Sequence, residues 1–402
     1  MNPATETIKP PPATVGPIGW LRRNLFNTWY NAVLTLFALW IIYVALTRVV
    51  TWILFSADWS PITLNLKLFM VGQYPAEALW RIGLCVALVS FLFGVSWGVW
   101  GGTVRSFALA IAIGLGAPAL LPVGLDVLSI QGRLWLLANP AAVILGFFVA
   151  RTPLGKPRRV LTAWILSFFV TMIMLHGFQG SSSLPLVGTG VWGGLLLTFL
   201  LALIGIVASF PMGVLLALGR RSGLPVVKLF SILFIELVRG VPLVSILFMA
   251  QIILPLFLPE DIRVDRVLRA LLAMTLFSAA YMAENVRGGL QAVPEGQVEA
   301  AQAIGLSGPL TMLLIILPQA LRAVIPAIVG QFISLFKDTT LAVIVGLLEI
   351  LGIGKAIILG NVKWIGQQTE VYLFIALVFW VFTYSMSYAS RKLETALGVG
   401  ER

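Results

Sequence analysis

Long apolar runs alternate with short polar segments along the chain, and this pattern predicts membrane-spanning helices. A helix needs about 20 apolar residues to cross the hydrocarbon core of a bilayer. Runs of about this length form two series, separated by a polar stretch near residue 180. The first series predicts spans at 29–55, 79–100, 104–125, 134–150 and 160–176, and the second at 190–218, 229–257, 267–287, 321–345 and 370–390. The pattern therefore predicts an all-α integral membrane protein.

Composition supports lipid as the main solvent of this chain. Of its 402 residues 59% are hydrophobic and 11% are charged, whereas soluble domains are about 25% charged. The formal net charge is +11, but the Lys and Arg residues lie between the apolar runs. That distribution favours loops facing anionic lipid over a nucleic-acid-binding surface.

The distribution of basic residues also predicts an orientation. The N-terminal tail, the loops 151–159 and 219–228 and the C-terminus are all basic, and with ten spans they fall on one side of the membrane. The positive-inside rule makes that side the cytoplasm, so both termini are predicted to be cytoplasmic. The loop 259–269 carries three arginines and falls outside, which is a mild exception. Residues 1–28 are polar and Pro-rich and predict a disordered cytoplasmic tail rather than a signal peptide.

One segment on the predicted cytoplasmic side has the spacing of a known motif. The segment 299–318 reads EAAQAIGLSGPLTMLLIILP. Its Ala-rich start predicts a short helix with Val298, Ala301 and Ile304 on one face. Gly305 follows where a C-cap glycine would end that helix. The segment resembles the EAA loop of ABC importer permeases, and the matching positions are Glu299, Ala300, Ala301, Gly305, Ile315, Leu317 and Pro318.

Three further segments resemble the permeases of polar amino-acid importers. They are GVWGGLLLTFLLAL at 190–203, IELVRGVPLVSILF at 235–248 and FKDTTLAVIVGLLEI at 336–350. The longer first half resembles the layout of the general L-amino-acid importers of the bacterial inner membrane. This resemblance implies a type I ABC importer transmembrane domain of about five core helices, preceded by about three to five extra helices. It implies three parts: a tail at 1–28, an extension at 29–180 and a permease domain at 189–395 with its coupling loop at 295–318.

The resemblance also implies partners. The chain contains no G-x-x-x-x-G-K-[ST] sequence, so ATP and Mg are expected on separate ATPase subunits and no cofactor is expected here. The resemblance implies a heterodimer with a related permease, two ATPase subunits, a periplasmic amino-acid-binding protein and membrane lipid, but no nucleic acid. The residues expected to couple to the ATPase are Glu299, Ala300, Ala301, Gly305, Leu317 and Pro318.

Charged residues inside the second series of spans are candidates for the substrate pathway. Such residues are costly in a bilayer and usually functional. Arg239 is placed about ten residues, or about 15 Å, into its span, and Gly240 and Pro242 indicate a break after it. Either these charges pair with each other inside the bundle, or Arg239 holds a carboxylate while a carboxylate holds an ammonium group. The candidates are Glu236, Arg239, Lys337, Asp338 and Thr339; Glu284 and Arg287 favour a structural pair.

Two other functions are alternatives to an ATP-driven importer. An ion-gradient-driven secondary transporter should show an internal repeat with paired broken helices, and no convincing repeat is seen. A membrane enzyme needs a polar catalytic cluster, whereas the chain has one histidine, His176, and one cysteine, Cys85. The sequence therefore predicts no catalytic residue and no metal site.

Overall fold

The structure, a computed structural model, describes residues 16–120, 129–259 and 262–398. Clustering of contacts divides the chain into one unit at residues 1–59 and a second at 60–402. The first unit contains α1 (Pro17–Asn24) and α2 (Trp29–Thr51), and a π-turn at Trp52–Ser56 prolongs α2. The prediction of a disordered tail is wrong for the residues of α1, where Pro17 at the first helical position favours a helix start. No residue of α2 is buried, as expected for a helix whose apolar side chains face lipid.

The second unit is helical throughout its described part, apart from isolated β-bridges. Its first half contains α3 (Ser60–Thr63), α4 (Leu66–Val71), α5 (Leu79–Trp100), α6 (Gly102–Leu120), α7 (Ile130–Val149) and α8 (Pro157–His176). Its second half contains α9 (Gly194–Arg220), α10 (Pro225–Arg239), α11 (Leu243–Phe248), α12 (Leu254–Phe257), α13 (Arg266–Ala292), α14 (Glu295–Ala303), α15 (Gly308–Thr311), α16 (Leu317–Ala323), α17 (Ile325–Asp338), α18 (Ile350–Gly360) and α19 (Gln368–Ala396).

The predicted spans are present as helices. Among the described residues nine helices are long and apolar enough to cross a membrane, or ten when the pair α10 and α11–α12 counts as one. The short predicted spans at 134–150 and 160–176 correspond to α7 and α8. Residues 121–125 of the predicted span 104–125 lie outside the described residues.

Glycines allow α5 and α7 to pack with their backbones almost touching. A Cβ at Gly94 of α5 would lie 2.1 Å from the Val143 carbonyl oxygen of α7, and one at Gly146 would lie 2.2 Å from the Phe91 carbonyl oxygen. Small residues permit this close approach between helices in lipid, where dispersion contacts replace the hydrophobic effect. A buried hydrogen bond of 2.9 Å from Ser90 to Asn139 adds a polar contact to the same interface.

Two long helices form the centre of the second half. α13 packs along α9, and half of the most apolar window of α13 is buried. Small side chains of α13, including Ala270, Ala273, Ala279 and Ala283, are almost completely buried. This close packing makes α9 and α13 a rigid support for the elements around them.

The span predicted at 229–257 is broken. Helices α10 and α11–α12 meet at an angle of 105° across Gly240, Val241 and Pro242. Pro242 lacks the N–H that a continuous helix needs, and its fixed φ suits the start of a new helix. The break that the sequence indicates after Arg239 is confirmed, and Arg239 is the last residue of α10.

Candidate functional site

The EAA segment folds as a helix, a tight turn and a second helical stretch. α14 begins at Glu295, four residues before the predicted start, and ends at Ala303. The N–H of Gly305 donates to the Gln302 carbonyl at 2.9 Å, and that of Leu306 to the Ala301 carbonyl at 3.0 Å. This pair of bonds is the Schellman motif, in which the C′ residue adopts a left-handed conformation. Gly305 has a φ of +85°, so the prediction that it closes the helix is confirmed.

One face of α14 is buried and the other is free. Ala301 is 3% exposed, whereas Glu299 and Ala300 are exposed. Ile304, which the sequence places on the same helix face as Val298 and Ala301, is 77% exposed. The physical reason is that Ile304 is the C-cap residue, whose ψ of 5° has left the helical range.

The buried face of the EAA segment rests on the central bundle. Val298 and Leu317 pack against a cluster of buried residues drawn from α9, α10, α13, α16 and α17. A hydrogen bond of 3.3 Å from Gln319 to Gln297 connects α16 to α14 across the turn. Pro318 lies exposed near the start of α16. A displacement of α14 would therefore be transmitted directly to the bundle.

Five charged side chains form an ion-pair network centred on Glu284 of α13. Its carboxylate contacts Arg220 of α9 at 3.0 Å, Arg287 of α13 at 2.9 Å and Arg239 of α10 at 3.6 Å. Arg220 also contacts Glu236 of α10 at 2.8 Å. The network joins three helices, and Glu284 is its least exposed member, at 17%.

This network shows which partners Glu236 and Arg239 have. They do not pair with each other; each has a partner on another helix. Arg239 is the last residue of α10, directly before the bend, and its depth of about 15 Å stays a prediction. Sequence reasoning missed Arg220 as a partner, because the contact joins residues 64 positions apart in the chain. The predicted Glu284–Arg287 pair is confirmed.

A cavity of about 260 Å³ lies beside the helix break. Its lining residues are Leu243, Phe277, Tyr281, Gln331, Ser334 and Asp338. Leu243 is the first residue of α11, and the last three lie on one face of α17. Asp338 is the only lining residue with a carboxylate, and it lies 3.5 Å from the Ser334 hydroxyl, which donates to it. The cavity thus combines one carboxylate with hydroxyl, amide and aromatic groups.

Tyr281 connects this cavity to Arg239. The Arg239 guanidinium lies 5.4 Å from the centre of the Tyr281 ring, within the range of a cation–π contact. Its Nε is buried and has no hydrogen-bond partner within the described chain. Arg239 is therefore close to the cavity but is not among its lining residues.

The other two residues predicted near Asp338 do not line the cavity. Lys337 is exposed. Thr339 is completely buried, and its hydroxyl donates to the Phe336 carbonyl at 2.7 Å. Threonine hydroxyls readily bond to the backbone of the preceding helical turn. The chain continues from α17 into a 3₁₀ helix at Thr339–Val345.

A buried carboxylate outside the spans was not singled out by the sequence. Glu349 is completely buried and caps α18, accepting hydrogen bonds of 2.8 Å from the N–H groups of Leu351 and Gly352. Burial raises the pKa of the Glu349 carboxyl to about 7. The signal in the sequence is an acidic N-cap residue before an apolar, glycine-containing run. Glu349 also forms a β-bridge to Gly194 at the start of α9, so it fixes α18 to the central bundle.

Comparison with known proteins places the chain in a family. Residues 209–398 match the family described as "Binding-protein-dependent transport system inner membrane component". The chain is 36% identical over 385 residues to the inner membrane amino-acid ABC transporter permease protein YhdY of Escherichia coli K12, covering 95% of this chain and 93% of that one. It is 36% identical over 433 residues to the glutamate/glutamine/aspartate/asparagine transport system permease protein BztC of Rhodobacter capsulatus, covering 98% and 97%.

A third relative and a solved structure match half of the chain. The probable glutamine ABC transporter permease protein GlnP of Bacillus subtilis is 37% identical over 204 residues, covering 51% of this chain and 92% of that protein. One chain of a crystal structure of an amino acid ABC transporter with histidines is 28% identical, covers 50% of this chain and has a TM-score of 0.46.

The chain belongs to the family of binding-protein-dependent transport system inner membrane components. It is a multi-pass inner-membrane permease subunit of an ABC importer, and it is not itself an enzyme. Membership favours the ABC importer over the ion-gradient-driven secondary transporter. In such importers a permease works with ATPase subunits and a further permease chain.

Proposed function

We propose that this chain forms part of the translocation pathway for amino acids, and that its cavity beside the helix break receives the substrate. The printed names of YhdY and BztC both refer to amino-acid transport, which supports the substrate class. The observation that carries the proposal is the cavity between the start of α11 and the end of α17, with Asp338 in its wall. A volume of about 260 Å³ lies just below the usual range of roughly 300–1,000 Å³ for small-molecule sites.

In this proposal Asp338 holds the α-ammonium group of the substrate. A carboxylate accepts strong, charge-assisted hydrogen bonds from an ammonium group. Arg239 lies behind Tyr281 and is the nearest guanidinium that could take the α-carboxylate, with its buried Nε unpaired in the described chain. Glu236, Lys337 and Thr339 receive less support, because none of them lines the cavity. Lys337 is therefore a matched control for Asp338.

We further propose that the exposed face of α14 docks on an ATPase subunit. Glu299, Ala300 and Gly305 are exposed at the turn, while Ala301, Leu317 and Pro318 position it. Glu299 makes no hydrogen bond or ion pair within the described residues, so its carboxylate is available to a partner. The side of the membrane with α14 is then the cytoplasm, and both termini lie there.

The proposed assembly has a related second permease, two ATPase subunits that bind ATP and Mg, and an extracytoplasmic amino-acid-binding protein. Within the chain we propose a tail at 1–28, an extension at 29–180 and a permease domain at 189–395. The alignments of YhdY and BztC cover at least 95% of the chain, whereas that of GlnP covers 51%. This difference supports an extension that only some relatives have.

The test compares Asp338→Asn with Lys337→Gln in the assembled complex, reconstituted into proteoliposomes with its binding protein. We expect Asp338→Asn to reduce ATP-dependent amino-acid uptake by about tenfold or more, because hydrogen bonds to charged groups contribute about 1.5–3 kcal/mol. Lys337→Gln should stay within about twofold of the wild type, as expected of a surface substitution. Stimulation of ATP hydrolysis by the binding protein should persist in both variants. Wild-type uptake by Asp338→Asn would place the substrate site elsewhere.

A further inference from the structure

The last turns of α19 carry two cations that no carboxylate neutralises among the described residues. Arg391 and Lys392 are both exposed and take part in none of the ion pairs. Arg391 donates a hydrogen bond of 3.1 Å to Ser387. Between residues 380 and 398 the only acidic residue is Glu394, which accepts a hydrogen bond from Ser390. This end of α19 therefore has an uncompensated positive charge.

Aromatic side chains continue from these cations along the same side of α19. Trp380 and Tyr384 are 60% and 52% exposed, and their rings stack at 5.4 Å. The Arg391 guanidinium lies 5.9 Å from the Tyr384 ring, and the Lys392 ammonium lies 5.8 Å from the Tyr388 ring. At 100° per residue, Trp380, Tyr384 and Arg391 share one helix face. From Trp380 to Lys392 the surface extends about 18 Å along the helix.

One contact places this surface at the side of the molecule that carries α14, and a second joins it to α6. Arg322 of α16, which follows the EAA segment, donates to the carbonyl of Leu397 directly after α19. The rings of Tyr388 and of Phe107 at the start of α6 lie 6.1 Å apart. Arg105, two residues before Phe107, is exposed and has no carboxylate partner in the described part of the chain. A third cation thus lies near the same level.

We propose that the face of α19 from Trp380 to Lys392 binds an acidic phospholipid, with its phosphate on Arg391 and Lys392 and an acyl chain along Tyr384 and Trp380. Basic residues beside membrane helices bind anionic headgroups, and aromatic side chains concentrate where headgroups meet the hydrocarbon. A free phosphate ion would use the cations but not the exposed rings. The ligand is therefore a lipid, and the site requires only that the chain lies in a membrane.

Binding is measured on the assembled complex by native mass spectrometry, with phosphatidylglycerol or phosphatidylcholine added. The variant Arg391→Gln/Lys392→Gln should bind phosphatidylglycerol at least about tenfold more weakly, since both cations that attract the anionic headgroup are lost. The matched control is Lys156→Gln/Arg158→Gln, which removes two exposed cations where the α7–α8 loop meets the first turn of α8. The control should bind phosphatidylglycerol as tightly as the wild type does. Arg391→Lys, which keeps the positive charge, should bind this lipid more tightly than Arg391→Gln does.

A second variant tests the acyl-chain contact separately from the charge. Tyr384→Ser keeps both cations but removes an exposed ring, so it should weaken binding of phosphatidylglycerol while leaving binding of inorganic phosphate unchanged. Equal loss in the α7–α8 control would overturn the proposal in favour of general surface charge. Full competition by inorganic phosphate would overturn it in favour of a free-anion site. Loss of the second permease from the Arg391→Gln/Lys392→Gln complex would assign the surface to a protein interface instead.

Discussion

Gly305 has a conformation that few other residues adopt without cost. Its φ is +85°, and no neighbouring heavy atom lies within 4 Å of the place where a Cβ would stand. A side chain at this position therefore meets backbone strain rather than steric collision. An L-residue in the left-handed region costs roughly 1–2 kcal/mol, and asparagine tolerates that region better than β-branched residues do.

Gly305→Val should therefore disturb the turn and weaken association with the ATPase, while Gly305→Asn should keep most of it. We expect a severalfold loss for the valine variant, measured as the amount of ATPase retained on the affinity-tagged permease in a pull-down. Gly308→Ala is the control, because its φ is not in the left-handed region and its Cβ also meets no neighbour. Equal amounts of each variant in the membrane would exclude a folding defect. Normal ATPase retention by Gly305→Val would contradict the proposed docking surface.

The sequence predicts single residues well where the reason is local. The glycine at the end of α14 follows from backbone geometry within a few residues, and that prediction is confirmed. The Glu284–Arg287 pair is likewise local. Arg220 could not be found in this way, because its partners Glu236 and Glu284 come from two other helices. The exposure of Ile304 depends on where the helix ends, and helix ends are the least certain positions in a sequence pattern.

At the scale of helices, the apolar pattern predicts the elements but not their bends. All ten predicted spans contain helix, yet α10 and α11 meet at 105°. The Gly240–Pro242 segment indicates the break, but no local rule sets its angle. That angle depends on contacts of α10 with α9 and α13, including the network around Glu284. The region proposed for the substrate lies beside this break.

Glu284 connects α9, α10 and α13, so Glu284→Gln should destabilise the packing of all three. The substitution leaves three guanidinium groups without their shared carboxylate. Breaking a buried pair costs about 3–5 kcal/mol, and partial exposure reduces this figure here. Glu236→Gln is the control, because Glu236 is 54% exposed and has one partner, for which about 1 kcal/mol or less is expected. The melting temperature of the detergent-solubilised complex should fall clearly more for Glu284→Gln than for Glu236→Gln. Equal shifts would show that the packing of the three helices does not depend on Glu284 in particular.

The α5–α7 interface gives a second test at this scale. Gly94→Leu should separate the two helices, because even its Cβ would lie 2.1 Å from the Val143 carbonyl oxygen. Gly114→Leu in α6 is the control, since no heavy atom lies within 4 Å of its Cβ position. Limited proteolysis in membranes should cut the α6–α8 region faster in Gly94→Leu than in the control. Equal cleavage rates would mean that the close glycine packing is not needed for the extension.

At the scale of the whole molecule, the proposed substrate cavity and the proposed ATPase-docking surface share one bundle of helices, and the chain has no nucleotide-binding sequence of its own. The EAA segment contacts the core at α13 and α16, and α13 also carries Phe277 and Tyr281 of the cavity wall. A movement at α14 can therefore reach the cavity through a single rigid helix. This arrangement is suited to transport driven by partner subunits, with the ATP-dependent step outside this chain.

The chain alone should consequently fail to accumulate amino acids. Proteoliposomes that contain only the purified chain should show no concentrative uptake, with or without ATP and with or without a proton or sodium gradient. Addition of the second permease, the ATPase subunits and the binding protein should restore ATP-dependent uptake, because the energy source then contacts α14. A complex with an ATPase unable to hydrolyse ATP is the matched control and should remain inactive. Ion-gradient-driven accumulation by the chain alone would contradict the proposed mechanism, since it would supply the energy without any contact at the EAA segment.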